Sequence, residues 1–213
     1  NTGMSHAGSF LLFALLFDFT EKWYANQRLK YAVVVGLVYG LLTLIRPSDA
    51  MIVGVPALWG LTSLAAVRNR LALLRRSWLH ILAAVLSALA VGFPQLLFWK
   101  KYAGTFFYYS YGEEGFDFSK PHLLEGIFGF QNGWLVYTPV MALALLGIGW
   151  LWKKRNNYFW CVVLILPVQL YLIYSYWCWQ WTNGFGARPM IQFYALLAIP
   201  LGGALAYSFS KKW

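Results

Sequence analysis

Residues 77–99, SWLHILAAVLSALAVGFPQLLFW, form an uncharged and mostly apolar run. A helix needs about 20 apolar residues to cross the hydrocarbon core of a bilayer, so this run predicts a transmembrane span. Comparable runs lie on both sides of it along the chain. Together the predicted spans are residues 4–20, 31–45, 50–67, 77–99, 134–152, 158–178 and 190–209.

The composition favours a membrane protein over a soluble one. Of the 213 residues, 60% are hydrophobic, 20% are aromatic and only 11% are charged. A soluble domain of this size could not bury so much apolar surface. The sequence therefore predicts an all-α, polytopic bundle of about seven transmembrane spans, which forms a single membrane domain over residues 1–213.

The second and third predicted spans are short, and they meet at Arg46-Pro47-Ser48-Asp49. They form either two tightly linked spans or a shallower helical hairpin. We favour two spans, because that choice places the later basic loops on one side of the membrane.

The basic residues predict the orientation of the bundle. The chain has 17 Lys and Arg against 7 Asp and Glu, which gives a net charge of +10. Most of the basic residues follow odd-numbered spans, namely Lys22, Arg28, Lys30, Arg68, Arg70, Arg75, Arg76, Lys153, Lys154, Arg155, Lys211 and Lys212. The positive-inside rule makes this side cytoplasmic, so Asn1 and residues 100–134 face outward. Such a charge distribution favours contact with anionic membrane lipids and gives no support to nucleic-acid binding.

Residues 100–134, KKYAGTFFYYSYGEEGFDFSKPHLLEGIFGFQNGW, form the one long extracytoplasmic loop. Glu113, Glu114 and Asp117 could ligate a divalent cation, which prefers oxygen ligands, or could be solvated loop acids. His122 could be a general acid or base, or simply a polar surface residue.

Two further features of this loop carry structural predictions. Its aromatic run at residues 106–111 suits either the membrane interface or a groove for an isoprenoid tail and sugar rings. Residues 119–128 predict a short interfacial helix with Ser119 as its cap.

The junction at Arg46 and Asp49 is a candidate substrate site. Charged residues near membrane depth are costly unless they are paired or solvated. In one interpretation the junction is a turn, in which Asp49 caps the third span and Arg46 reaches lipid headgroups. In the other, Arg46 lines a phosphate-binding pocket, because a guanidinium pairs bidentately with phosphate oxygens.

A second candidate site lies at residues 177–189, WCWQWTNGFGARP. Gly184 and Gly186 frame a tight turn, after which Arg188-Pro189 is predicted to open the last span. The N–H groups at a helix start favour an anion, and Arg188 would add a full positive charge. The tryptophans fit an interfacial aromatic belt, whereas a ligand-binding role for Arg188 stays open.

Other chemistries have no signature in the chain. The sequence contains no G-x-S-x-G, Walker or H-E-x-x-H motif and no Cys/His metal spacing. Cys161 and Cys178 lie 17 residues apart, which on one helix is roughly 25 Å and too far for a disulfide.

Four stretches carry a family resemblance: MSHAGSF at residues 4–10, GLVYGLLTLIRP at 36–47, GFQNGWLVYTP at 129–139 and WTNGFGARP at 181–189. With them the chain resembles the GT-C integral-membrane glycosyltransferases, specifically the bacterial relatives of protein O-mannosyltransferases and the aminoarabinose transferase. The resemblance extends over most of the chain.

The resemblance implies an enzyme of the bacterial inner membrane that takes a sugar from a polyprenyl-phosphate carrier and passes it to a lipid, glycan or protein. It also implies a catalytic aspartate in a first outer loop, which we expect upstream of Asn1, so that the chain would be the C-terminal part of a longer module. Arg46 and Arg188 would contact the donor phosphate. Asp49 departs from the small or hydroxyl residue of the family pattern. The predicted substrate-binding residues are Arg46, Asp49, Glu113, Glu114, His122 and Arg188.

Two other functions stay open. A transporter or flippase for a lipid-linked sugar would need ionisable residues or broken helices at mid-membrane, and apart from Pro167 the span centres are almost uncharged. A non-catalytic membrane scaffold would use the outer residues only as surface.

Overall fold

The computed structural model describes residues 5–109, 112–181 and 184–210. Its regular elements are helical, and apart from one antiparallel bridge between Phe116 and Tyr176 the described residues contain no β-structure. The all-α prediction is confirmed. Some residues discussed above lie outside the described ones, namely Asn1, Met4, Ser110, Tyr111, Thr182, Asn183, Lys211 and Lys212.

The helices follow one another closely along the chain. In order they are α1 (His6–Asn26), α2 (Leu29–Ile45), a first 3₁₀ helix (Pro47–Val53), α3 (Gly54–Leu58), α4 (Leu64–Arg76), α5 (Trp78–Ala103), α6 (Leu123–Phe128), α7 (Trp134–Tyr137), α8 (Val140–Lys153), α9 (Phe159–Tyr174), a second 3₁₀ helix (Arg188–Met190) and α10 (Tyr194–Ser210).

Among the described residues, α5 is the helix that is long and apolar enough to cross a membrane. None of its apolar window is buried inside the structure, whereas the core helix of a soluble protein would be mostly buried. Helices α2, α8, α9 and α10 are apolar but shorter, at 14 to 17 residues. The arrangement of about seven spans therefore stays a prediction.

The prediction of one span over residues 50–67 is wrong. The first 3₁₀ helix leads into α3, which ends at Leu58, and α4 begins only at Leu64. Gly60 has a φ of +70°, a left-handed conformation that a helix cannot contain. Ser63 then caps α4, since its hydroxyl accepts a hydrogen bond from the amide of Ala66 at 3.1 Å.

Two further differences from the predicted spans occur at prolines. The predicted span at 134–152 divides into α7 and α8 at Pro139, which has no N–H to donate to the preceding turn. Arg188-Pro189 does not open the last span, because these residues form a separate 3₁₀ helix and α10 begins at Tyr194.

The predicted cap of the short loop helix is also wrong. His122 precedes α6, and the hydroxyl of Ser119 instead donates to Asp117 Oδ1 at 2.5 Å. Ser and Asp side chains close such local turns readily, and this turn competes with the capping role.

The described structure divides into two compact units. One, here called the helix-pair unit, comprises Leu12–Ala57 and Ser63–Glu114 and is built on α2 and α5. The other, here called the turn unit, comprises Asn1–Leu11, Leu58–Thr62 and Gly115–Trp213 and is built on α8, α9 and α10.

Small residues set the helix packing inside the helix-pair unit. A Cβ added to Gly36 would collide with the backbone of Ala84, and one added to Gly40 would press against Ala88. Glycines and alanines four residues apart on facing helices let the two backbones approach closely, as in helix pairs within membranes.

In the turn unit, glycines also allow close packing between α8 and α10. Gly147 lies against the backbone of Pro200, and Gly203 lies against the indole of Trp150. These contacts bring the middle of α10 into close contact with α8.

Candidate functional site

The chain between α9 and α10 adopts a strained turn. Trp181 has a φ of +50° and Gly186 a φ of +62°. Glycine accepts this conformation at little cost, but a bulky side chain does so only when its surroundings compensate. Strained backbone conformations are concentrated at functional sites, so the turn and the residues that hold it are a candidate site.

One side chain, Asn132, fastens both ends of this turn. Its Nδ2 donates to the carbonyl oxygens of Gln180 at 2.9 Å and Trp181 at 3.2 Å. Its Oδ1 accepts from the amide of Gly186 at 3.3 Å. Asn132 itself has a φ of +59°, which asparagine tolerates better than most residues. Three hydrogen bonds from one amide therefore offset the strain of the turn.

Arg188 lies directly after the turn and has unused hydrogen-bonding capacity. Its side chain is partly exposed, but its Nε is buried and has no hydrogen-bond partner among the described residues. Within the part of the chain that the structure describes, Arg188 forms no ion pair. A buried donor on a charged group is costly unless an acceptor reaches it.

Gly184 makes room for this guanidinium. A Cβ at that position would overlap the Cδ, Nε and Cζ atoms of Arg188. The glycine of the turn therefore has a steric role, and the arginine side chain lies across the space that a larger residue would fill.

Aromatic side chains surround the same turn. The rings of Tyr176 and Trp181 stack with centroids 5.2 Å apart and an interplanar angle of 6°. Phe185 meets Tyr137 edge-on at 4.9 Å, and the hydroxyl of Tyr137 donates to the carbonyl of Phe130 at 2.9 Å. The indole Nε1 of Trp181 is also a buried N–H, and the described part of the chain gives it no hydrogen-bond partner.

A buried polar pair anchors the start of α10 in the turn unit. Gln192 is 1% exposed, and its Oε1 lies 3.1 Å from Nδ1 of His6, which is 7% exposed. An amide and an imidazole in an apolar surrounding are stable only when they bond to each other or to similar groups. The pair fixes the first turn of α1 against the segment that carries Arg188.

The second half of the long loop runs beside the end of α9. The amide of Asp117 donates to Ser175 O at 2.7 Å, and the amide of Trp177 donates to Gly115 O at 3.0 Å. The hydroxyl of Tyr171 donates to Phe118 O at 2.6 Å. These bonds hold residues 115–118 as an ordered edge of the turn unit.

Asp117 lies on this edge, and His122 follows it with its amide donating to Tyr174 O at 2.9 Å; both residues are exposed. The imidazole of His122 stacks on the indole of Trp179 with centroids 4.6 Å apart. The pKa of Asp117 is lowered, because the hydroxyl and the amide of Ser119 both donate to its carboxylate.

Arg46 and Asp49 belong to the helix-pair unit. Arg46 is partly exposed and precedes the first 3₁₀ helix, and Asp49 is 0% exposed in the first turn of that helix. The amide of Asp49 donates to Arg46 O at 2.9 Å. Because Arg188 is in the other unit, a shared phosphate pocket for the two arginines stays a prediction.

Glu113 and Glu114 end the helix-pair unit, and Glu113 is the more exposed of the two. The carbonyl of Glu114 accepts a hydrogen bond from the hydroxyl of Tyr109. Among the described residues, no three His, Cys, Asp or Glu side chains come together as a metal site would require. Within the described residues, Glu113, Glu114 and Asp117 therefore do not form a three-carboxylate metal site.

Sequence reasoning missed the roles of Asn132 and Gln192. The Asn-Gly pair at residues 132–133 is a typical signal of a turn with positive φ, and it marked a place where a side chain could bind the backbone. Gln192 is an amide within an apolar stretch, which by itself indicates a buried polar contact.

Comparison with protein-family models, with curated proteins and with solved structures finds no match to this chain.

Proposed function

We propose that this chain is the donor-binding part of an integral-membrane glycosyltransferase that moves a sugar from a polyprenyl-phosphate carrier to a lipid, glycan or protein. The observation that carries the proposal is Arg188, whose buried Nε lacks an acceptor on a strained turn that Asn132 holds in place. A phosphate oxygen is an acceptor that would satisfy this guanidinium. The resemblance of residues 181–189 to the GT-C pattern supports the same assignment.

In this proposal the protein is a multi-pass protein of the bacterial inner membrane. Helix α5 is one span, and the shorter apolar helices α2, α8, α9 and α10 supply others. The basic loops face the cytoplasm and the turn before α10 faces outward, as the positive-inside rule predicts.

The chemistry assigns a specific task to the guanidinium. Transfer of the sugar leaves a polyprenyl phosphate whose oxygens gain negative charge in the transition state. Arg188 would stabilise that charge from a position fixed before the reaction begins, which is an effective form of electrostatic catalysis. A carboxylate must activate the acceptor hydroxyl, and no residue of this chain matches that base.

Arg46, Asp49, Glu113, Glu114 and His122 are proposed as further substrate contacts. Arg46 would add a second cation at the phosphate, whereas the stacked rings of His122 and Trp179 offer a flat apolar surface to a sugar ring. A divalent cation bound by Glu113 and Glu114 would add a further positive charge at the phosphate.

The test is equilibrium binding of polyprenyl phosphate to the protein in nanodiscs of neutral lipid. A charge-assisted hydrogen bond contributes about 1.5–3 kcal/mol, so Arg188→Gln should weaken binding about 10- to 100-fold. Arg155→Gln is the matched control, because Arg155 is an exposed arginine in the loop after α8. Equal affinities for the wild type and Arg188→Gln would refute the assignment.

Sugar transfer is measured separately, with labelled polyprenyl-phosphate sugar and the protein as its gene encodes it. Formation of a glycosylated acceptor is the expected result. Movement of the labelled lipid across the bilayer without product would instead identify a flippase, and binding without either outcome would identify a scaffold.

A further inference from the structure

The helix-pair unit contains a large apolar cavity whose residues the proposed glycosyl transfer does not use. Its volume is about 760 Å³, within the range of about 300–1,000 Å³ that is usual for ligand pockets. The walls come mainly from the second half of α1 and from α2 and α5. All lining residues belong to this one unit.

The cavity is elongated along the helices. On α5 its lining residues run from His80 to Trp99, a distance of about 28 Å at the rise of an α-helix. On α2 they include Ala32, Tyr39 and Thr43, which recur on one face of the helix. This length is close to the hydrocarbon thickness of a bilayer, about 30 Å. The shape fits a hydrocarbon chain better than a compact ligand.

The two ends of the cavity differ in chemistry. At the end near His80, Trp23 Nε1 donates to His80 Nδ1 at 3.1 Å. Because Nδ1 accepts this hydrogen bond, the other ring nitrogen, Nε2, is the one that can donate to a ligand. At the far end the lining residues are Gln95, Leu96, Trp99 and Phe107, none of which is charged.

Arg70 of α4 lies at the rim of the polar end. Its guanidinium carbon is 3.8 Å from the ring centroid of Tyr24, and its Nη1 donates to the Tyr24 hydroxyl. Nη1 also lies 3.4 Å from the carbonyl oxygen of Pro56. Both Tyr24 and Pro56 line the cavity, so a fixed positive charge stands at its mouth.

The whole of α4 extends this positive charge. The helix carries Arg68, Arg70, Arg75 and Arg76 with no acidic residue, and none of its residues is buried. Two of its four leucines are exposed as well, with Leu64 at 83% and Leu71 at 54%. A basic helix with exposed leucines is typical of a helix that lies in the headgroup region of a membrane.

From this arrangement we propose that the cavity is a binding site for an anionic glycerophospholipid. The acyl chains lie in the cavity along α1, α2 and α5, and the phosphate lies at the rim beside Arg70 and His80. Charge complementarity favours an anionic lipid, because an apolar slot of membrane length ends beside Arg70 on a helix that carries four arginines and no acidic residue. The site would hold α4 on the surface of the basic-side leaflet.

Native mass spectrometry of the protein released from nanodiscs tests the proposal. Nanodiscs are made from phosphatidylcholine alone or from equal parts of phosphatidylcholine and phosphatidylglycerol. We expect one retained phosphatidylglycerol per chain, preferred at least tenfold over phosphatidylcholine. Retention of both lipids in their bulk ratio would overturn the proposal.

Two neighbouring residues of α5 provide a matched pair of variants. Val85 lines the cavity and Leu86 does not, although both are largely exposed. Val85→Trp should lower retention of phosphatidylglycerol about tenfold by filling the slot, while Leu86→Trp should leave it unchanged. Equal effects of the two substitutions would place the lipid elsewhere.

A third variant distinguishes the contribution of the lipid headgroup to binding from that of the acyl chains. Arg70→Gln should abolish the preference for phosphatidylglycerol and leave weak retention of either lipid. An unchanged preference in Arg70→Gln would contradict the role of the rim, and Val85→Trp keeps the proposal testable if Arg70→Gln does not fold.

Two further measurements test whether the cavity instead holds polyprenyl phosphate or a second copy of the chain. Polyprenyl phosphate that displaces the bound phospholipid at equal concentration, or a dimer of the chain that Val85→Trp dissociates, would assign the cavity to the sugar donor or to a second copy. Either result would overturn the phospholipid site.

Discussion

The α2–α5 pair and the turn before α10 are held together in opposite ways. In the pair, Gly36 and Gly40 bring two regular helices into close contact, and no side-chain hydrogen bond joins the facing small residues. In the turn, a strained backbone at Trp181 is fixed by three hydrogen bonds from Asn132. The first contact depends on steric fit along a repeat, and the second depends on a single amide far away in the sequence.

The difference explains where chemistry can reside. A close-packed pair of glycines and alanines leaves no polar group free to bind a ligand at the contact. The turn, by contrast, leaves the Nε of Arg188 buried without an acceptor from residues 5–109, 112–181 and 184–210. Regular packing therefore builds the scaffold, and the irregular segment carries the candidate site.

The largest expected effect comes from breaking the helix pair. Gly36→Leu forces a side chain into the backbone of Ala84, and overpacking of this kind costs about 1–3 kcal/mol or more. We expect a loss of about 3 kcal/mol in the free energy of unfolding, measured by reversible denaturation in mixed micelles. Gly92→Ala is the control, since a Cβ at Gly92 meets no atom within 4 Å, and it should be neutral or stabilising.

A smaller loss is expected from releasing the turn. Asn132→Ala removes three hydrogen bonds of about 1 kcal/mol each, part of which water replaces, so we expect a loss of about 2 kcal/mol. Hydrogen exchange at the amide of Gly186 should accelerate, whereas Gln131→Ala, an exposed neighbour, should leave it unchanged. Slow exchange in Asn132→Ala would show that the turn does not need the amide.

The smallest effect concerns the exposed edge of the turn unit. Ser119 lowers the pKa of Asp117, so the stabilisation that this interaction provides is present above the unfolded pKa and is lost as the pH falls through the folded one. We expect Ser119→Ala to raise the pKa of Asp117, measured by carboxyl carbon NMR of labelled protein in micelles. An identical titration in wild type and variant would show that the hydroxyl makes no difference.

The regular part of the fold could be predicted from sequence because it depends on local periodicity. The run at residues 77–99 contains most of α5, and residues 31–45 contain most of α2, since apolar length and the absence of charge are sufficient signals. The run at 50–67 failed because the same apolar composition contains Gly60, whose positive φ ends the helix.

The candidate site could be predicted only in part. Arg188 and the glycine turn were proposed as an anion site because the sequence predicted a helix start there, but α10 begins only at Tyr194, so the proposal now depends on the guanidinium itself. The partner of the turn was not identifiable, since Asn132 lies 48 residues before Gln180 and no periodicity connects them. Hydrogen bonds over such separations depend on the packing of helices between them.

The central claim is that Gly184 and the turn hold Arg188 in position for a phosphate, and one substitution tests it while keeping the charge. Gly184→Ala places a Cβ where the guanidinium lies, and its matched control is Gly202→Ala, where a Cβ meets no atom within 4 Å. The measurement is the dissociation constant of polyprenyl phosphate in neutral nanodiscs. We predict about tenfold weaker binding for Gly184→Ala, equivalent to about 1.4 kcal/mol, and no change for Gly202→Ala. Wild-type affinity in a folded Gly184→Ala protein would contradict the account.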